Sequence, residues 1–135
     1  MAIIVTSCGG KYTGPTVIIK DAPVSIEVVN TATATAKGLS GRENLCPDCG
    51  MLFIFNDNQI RRFWMKNMNF PLDIIWIKGD KIVGLAENVP LFDSNNQIGA
   101  VMSPVAVNLV LEVNAGWAKS HGLQSGDKVE YKNID

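Results

Sequence analysis

A chain of 135 residues suffices for one domain with a sizeable core and falls short of two ordinary ones. Hydrophobic residues make up 47% and charged residues 19%, a globular balance that excludes a disordered chain. The net charge of −1, with Lys and Arg scattered, offers no basic stripe to nucleic acid, and no apolar run reaches the roughly 20 residues that span a bilayer.

Residues 1–15 read as an N-terminal segment ahead of a single domain over 16–135. Ala2-Ile3-Ile4-Val5-Thr6-Ser7-Cys8-Gly9-Gly10 is an apolar run ending in small residues and a cysteine. It is similar to the tail of a bacterial lipoprotein signal, which makes Cys8 a candidate lipidation site and anchor. The run is shorter than the ~7–15 apolar residues of a full signal, and no basic residue precedes it. A trimmed signal, a misplaced start and a plain first strand all account for it. The first of these points outside the cytoplasm.

A strand is expected over 16–20, where Val17, Ile18 and Ile19 lie between Pro15 and Pro23. Residues 24–29 alternate, with Val24, Ile26 and Val28 on one face and Ser25 and Glu27 on the other. Asn30 or Thr31 caps a short helix over 32–39 that Gly38 or Gly41 ends. Its threonines make it a weak helix. Strands over 51–55 and 62–67 flank the turn formers Asn56-Asp57-Asn58. Residues 72–77 and 81–86 form a hairpin, because Gly79-Asp80 suits a primed two-residue turn. Residues 90–104 lack periodicity and read as a long loop. An apolar strand over 105–113, a short helix over 115–121 closed by Gly122, and a last strand over 128–131 complete the chain. About eight short strands with two short helices imply an all-β single domain, a sandwich or a closed barrel.

Three ionisable residues interrupt apolar strands: Lys66 after Phe63-Trp64-Met65, Asp73 between Leu72 and Ile74, and Glu112 between Leu111 and Val113. A lone buried charge is costly, so each must reach solvent or a partner. Alternation puts Phe63 and Met65 on one face and Lys66 with Trp64 on the other. It likewise sets Glu112 opposite Leu109, Leu111 and Val113. The lysine and both carboxylates are thereby expected to meet on one side of the sheet. The arrangement reads either as a ligand pocket, with Lys66, Asn67, Asp73 and Glu112 as a polar floor and Trp64 as a wall, or as a structural ion pair or solvated row.

Cys46-Pro47-Asp48-Cys49-Gly50 has the spacing of one zinc knuckle, yet a tetrahedral site needs four ligands and only Cys8 and His121 remain. No metal is expected. A Cys46–Cys49 disulfide suits an exported chain. A redox motif would stand between a strand and a helix, whereas this one precedes a strand. With a single histidine, no Gly-x-Ser-x-Gly elbow and no phosphate-binding glycine loop, nothing calls for a cofactor.

Four segments occur in a telling order: Gly50-Met51-Leu52-Phe53-Ile54-Phe55; Phe63-Trp64-Met65-Lys66-Asn67 with Pro71-Leu72-Asp73; Leu111-Glu112-Val113-Asn114-Ala115-Gly116; and Gly126-Asp127-Lys128-Val129. Together they resemble domain-of-unknown-function family 192, a widespread prokaryotic group. The likeness runs from Val24 to Tyr131. Ala36-Lys37-Gly38-Leu39 with Arg42 is similar to that family's Arg-Gly-Leu-Met stretch, departing at Lys37 and Ser40, and the cysteine pair lies outside its pattern. The resemblance implies a jelly-roll-like β-sandwich with two short helices, often in exported proteins, and no activity. Its matched polar positions are Lys66, Asn67, Asp73 and Glu112.

Three functional readings stay open. One is a non-catalytic or accessory binding domain, outside the cytoplasm, holding a small molecule or protein with Trp64, Lys66, Asn67, Asp73 and Glu112. Another is a small hydrolase with Asp73 or Glu112 as general base and Lys66 stabilising negative charge. The third is a structural module presenting an edge strand or the 90–104 loop. No oligomeric state is legible.

Overall fold

The computed structural model describes residues 12–135, so the candidate lipidation site Cys8 lies outside the described residues. β1 (Thr16–Ile19) and β2 (Ala22–Val29) form an antiparallel hairpin. Its two turn residues, Lys20 and Asp21, both take positive φ (49° and 63°), the primed geometry that matches strand twist. From β2 the chain crosses over through α1 (Ala32–Lys37) into β3 (Cys49–Gln59), which lies parallel to β2. A parallel neighbour requires such a crossover, and it is what lays α1 against the sheet.

β5 (Leu72–Lys78), β6 (Lys81–Val89), β8 (Val107–Asn114) and β9 (Val129–Lys132) join by antiparallel ladders. The order across the seven strands is β6-β5-β8-β3-β2-β1-β9. The sheet curls into a half-barrel whose edges meet at one end. There Val129 N–H donates to Asp80 C=O (2.7 Å), Ile82 N–H donates to Asp127 C=O (2.9 Å), and Lys81 bridges Lys128. β4 (Arg62–Trp64) and β7 (Ala100–Met102) make a separate two-stranded ribbon.

Both faces of the sheet are covered. One packs Val24, Leu52, Ile75, Leu111 and Val113 under Trp117 and Ala118 of α2 (Trp117–Ser120). The other packs Met51, Phe53, Ile74, Trp76 and Val110 with Leu39, Met65 and Phe63. β5 is consequently buried on both sides and reads as a continuous apolar run broken only by Asp73.

The mostly-β single domain with two short helices agrees with the sequence; its layers are unequal, one curled seven-stranded sheet and one ribbon. Local differences have local causes. Asn56-Asp57-Asn58 is strand, not turn: a register shift against β8 between Ile54 and Gln59 absorbs these polar residues, and the chain turns at Ile60-Arg61 instead. The strand expected over 62–67 stops at Trp64, because Met65 O accepts from Met68 N–H (3.1 Å) and Asn67 sits at φ 61°. The loop expected over 90–104 contains β7, whose three residues are too few to show a period. Among the described residues no helix is long and apolar enough to cross a membrane.

Gly50 of β3 sits where the sheet leaves no room for a side chain. A Cβ there would stand 2.7 Å from the Glu112 carbonyl oxygen and 3.1 Å from a methyl of both Val24 and Val113. Gly50→Ala is expected to destabilise by about 1–3 kcal/mol, read as a lower urea midpoint. Gly14→Ala, which meets open space, should leave that midpoint nearly unchanged.

Candidate functional site

On β8, Glu112 falls opposite Met51 of β3 and Ile74 of β5, and directly opposed residues share a face. Its carboxyl thus points into the layer beneath α1 and β4 rather than toward α2. It is only 6% exposed, and no group among the described residues donates a hydrogen bond to it. Burial alone pushes its pKa up from 4.5 to about 8, since desolvation disfavours the charged form. At neutral pH the group is mostly a carboxylic acid.

Above it opens a cavity of about 370 Å³, within the range of roughly 300–1,000 Å³ that small-molecule sites occupy. α1 forms one wall and ends there for a steric reason. Gly38 takes φ 51°, and a Cβ on it would stand 3.3 Å from the Phe53 ring and 3.8 Å from Glu112 Oε1. Aromatic rings form the rest. Phe53 and Phe63 meet edge to face at 4.9 Å, and Phe63 meets Trp76 likewise at 5.7 Å, which locks the floor. Phe55 carries the Arg61 guanidinium over its face at 3.9 Å. That guanidinium is already committed, donating to Val107 C=O (3.1 Å) and pairing with Asp57 (2.8 Å). At the mouth stand Lys37, Arg62 and the half-exposed Trp64.

The structure divides the residues expected to converge. Trp64 and Glu112 line the same cavity. Lys66 lies beyond the end of β4 and stays in solvent with its Nζ 5.1 Å from the centre of the Trp64 ring, and it does not reach Glu112. Asn67 is exposed and serves a turn, its carbonyl accepting from Gly41 N–H (2.9 Å).

Asp73 corrects the expectation most. It pairs with Val113, one step out of phase with the Ile74–Glu112 pair, and therefore faces the opposite side of the sheet. There it is fully buried, accepting backbone N–H bonds from Asn88 (2.8 Å), Gly116 (3.1 Å) and Ala118 (2.9 Å). A carboxylate so occupied ties β6 and α2 to β5. It is not available as a base.

Gly38, Phe53, Phe55, Arg61 and Arg62 are site residues that the strand-by-strand reading passes over. Arg61 and Arg62 sit beside the misplaced turn. A strand–helix–strand order over β2, α1 and β3 is the signal that could have set Gly38 above the sheet. At the entry to β3, Cys46 and Cys49, the strand's first residue, are joined by a disulfide, with Cα atoms 5.2 Å apart. Among the described residues no group of three or more His, Cys, Asp or Glu side chains is placed to hold a metal.

Residues 16–131 match the family model DUF192, described as "Uncharacterized ACR". A protein of unknown function from Novosphingobium aromaticivorans DSM 12444 superimposes with a TM-score of 0.74 at 33% identity, covering 86% of this chain and 82% of that one. A Sinorhizobium meliloti 1021 protein, assigned provisionally as a transcription regulator, gives 0.76 at 30% identity, covering 89% and 93%. No curated protein matches the chain.

The two buried carboxyls should respond oppositely to mutation. Asp73→Ala strands three backbone N–H groups, one buried and two partly buried, and is expected to cost about 3 kcal/mol or more by urea denaturation. Glu112 behaves otherwise: with its folded pKa raised to about 8 from 4.5, the folded state keeps a proton the unfolded chain has lost. Stability therefore falls as pH climbs between those values, by up to about 1.4 kcal/mol per pH unit, and levels off above. Glu112→Gln should remove that slope, gaining on the wild type at about pH 8 and little at about pH 4, as paired urea midpoints will read.

Proposed function

We propose, given that the chain belongs to the DUF192 family, that it is an accessory domain binding a small molecule in the cavity above Glu112. The observation that carries this reading is a nearly buried carboxyl with no hydrogen-bond donor, facing an aromatic-walled opening. A solitary buried polar group is costly, and a protein that keeps one in a concavity gains most from an occupant that completes it. Local rules broken at one place, while satisfied elsewhere, mark functional sites.

Binding is favoured over hydrolysis because Glu112 stands without Asp73 or Lys66 beside it, leaving one acid–base group, while of the lining cations Arg61 is held by Asp57 and Val107 and Lys37 and Arg62 stand at the exposed mouth. Direct DNA contact of the kind a regulator makes has little support, since the two helices among the described residues have six and four residues and the net charge is −1. The solvent-facing Cys46–Cys49 disulfide supports an oxidising, extracytoplasmic setting, in keeping with Cys8 as a lipid attachment point.

Titration with N-phenyl-1-naphthylamine, an uncharged apolar dye, tests the cavity. One dye is expected to bind per chain, and Trp64→Ala should weaken it about tenfold. Met102→Ala, which removes an equally exposed apolar side chain outside the cavity, should change nothing. Dye binding indifferent to Trp64→Ala would sink the reading.

A further inference from the structure

We infer that the occupant of this cavity is an organic amine, whose protonated nitrogen meets Glu112 while its apolar body lies against the phenylalanine and tryptophan rings. The inference rests on the cavity being a ligand site and adds the chemical class of the ligand.

The carboxyl of Glu112 has no donor among the described residues and its oxygens open onto the cavity, so an occupant that displaces water there has to supply the donor. Charge-assisted donors to a carboxylate are about twice as strong as neutral ones, which favours an ammonium over a hydroxyl or amide. The protein's own cations do not fill this role. Among the described residues three basic ones line the cavity, Lys37 from α1, Arg61 from the β3–β4 turn and Arg62 from β4, and none forms an ion pair with Glu112. Arg61 is held by Asp57 and Val107; Lys37 and Arg62 stay at the exposed mouth. Among the described residues Glu112 is the only acid that lines the cavity.

The walls suit the same guest. Ring faces attract cations, more strongly where water is excluded. This cavity already displays the contact, in the Arg61 guanidinium 3.9 Å from the Phe55 centroid. An anionic guest would find Lys37 and Arg62 at the mouth, yet at depth it would face Glu112 with no cation free to receive it. A neutral guest would accept one hydrogen bond from the protonated acid and gain nothing from the charge the site can generate.

Pairing with an ammonium turns Glu112 from acid to carboxylate and releases its proton to solvent. Uptake of the amine is accordingly coupled to pH. Affinity climbs as pH rises toward about 8, the value to which burial raises Glu112, by up to about tenfold per unit. It levels above that.

The decisive experiment is displacement of the bound dye by three probes of one shape: phenethylamine, 2-phenylethanol and 3-phenylpropionate. At about pH 8 the amine is expected to displace the dye at concentrations at least tenfold lower than the alcohol, with the acid weakest. Lowering the pH by about two units should erase most of the amine's advantage. Glu112→Gln, which keeps the shape and the dye site, should level amine and alcohol. An amine no better than the alcohol, a preference that survives Glu112→Gln, or displacement by the acid alone or by no probe overturns the inference while the cavity reading stands. Failure of the wild type to bind the dye at all overturns both.

Discussion

The register of β5 against β8 assigns the two buried carboxyls to different chemistries. Asp73 lies across from Val113 and Ile74 across from Glu112, so the acids are one strand step apart and emerge on opposite faces. Asp73 meets three backbone N–H groups and becomes a structural tie. Glu112 meets none and is left at the floor of a cavity. A slip of one residue would exchange their surroundings, leaving the N–H groups under α2 without their acceptor. Tight packing at Gly50, whose neighbours include the Glu112 carbonyl and Val113, opposes any such slip on the β3 side.

The cavity itself is a product of the parallel crossover. α1 buries no residue of its own and is six residues long, so neither packing nor propensity holds it strongly. It is fixed at its ends instead. Thr31 accepts from Ala34 N–H (3.1 Å) at the start, and beyond Gly38 the side chain of Leu39 plugs the core beside Phe53. Further along the same connection Arg42 forms a forked ion pair with Glu27 on β2, and the Cys46–Cys49 disulfide closes the last turn before β3. A wall anchored at both ends and thinly packed between them leaves room above the sheet. Packing it down would require burying Glu112 completely.

The aromatic cluster supplies rigidity where α1 does not. Phe53, Phe63 and Trp76 interlock edge to face, joining β3, the ribbon and β5 across the layer. The guest would therefore meet a fixed floor and one lightly held wall, an arrangement that combines pre-organisation with access. The Novosphingobium and Sinorhizobium structures share this fold over most of their length, so the curled sheet extends beyond this one chain.

Much of the fold could be read along the chain, because alternation and turn chemistry act between neighbours. The first two strands, the Gly79-Asp80 hairpin, the short helix before Gly38 and the outward turn of Glu112 from Leu111 and Val113 all follow from a few adjacent residues. The family resemblance pointed to the same polar positions, and two residues of the expected site, Trp64 and Glu112, do share a cavity. Alternation says which residues of one strand share a face, but not which face that is on the strand beside it. That choice depends on β5 pairing β8 out of sequence order and on a crossover that carries α1 to one side. Only tertiary structure could separate Asp73 from Glu112, because their separation comes from long-range register, to which no local pattern is sensitive.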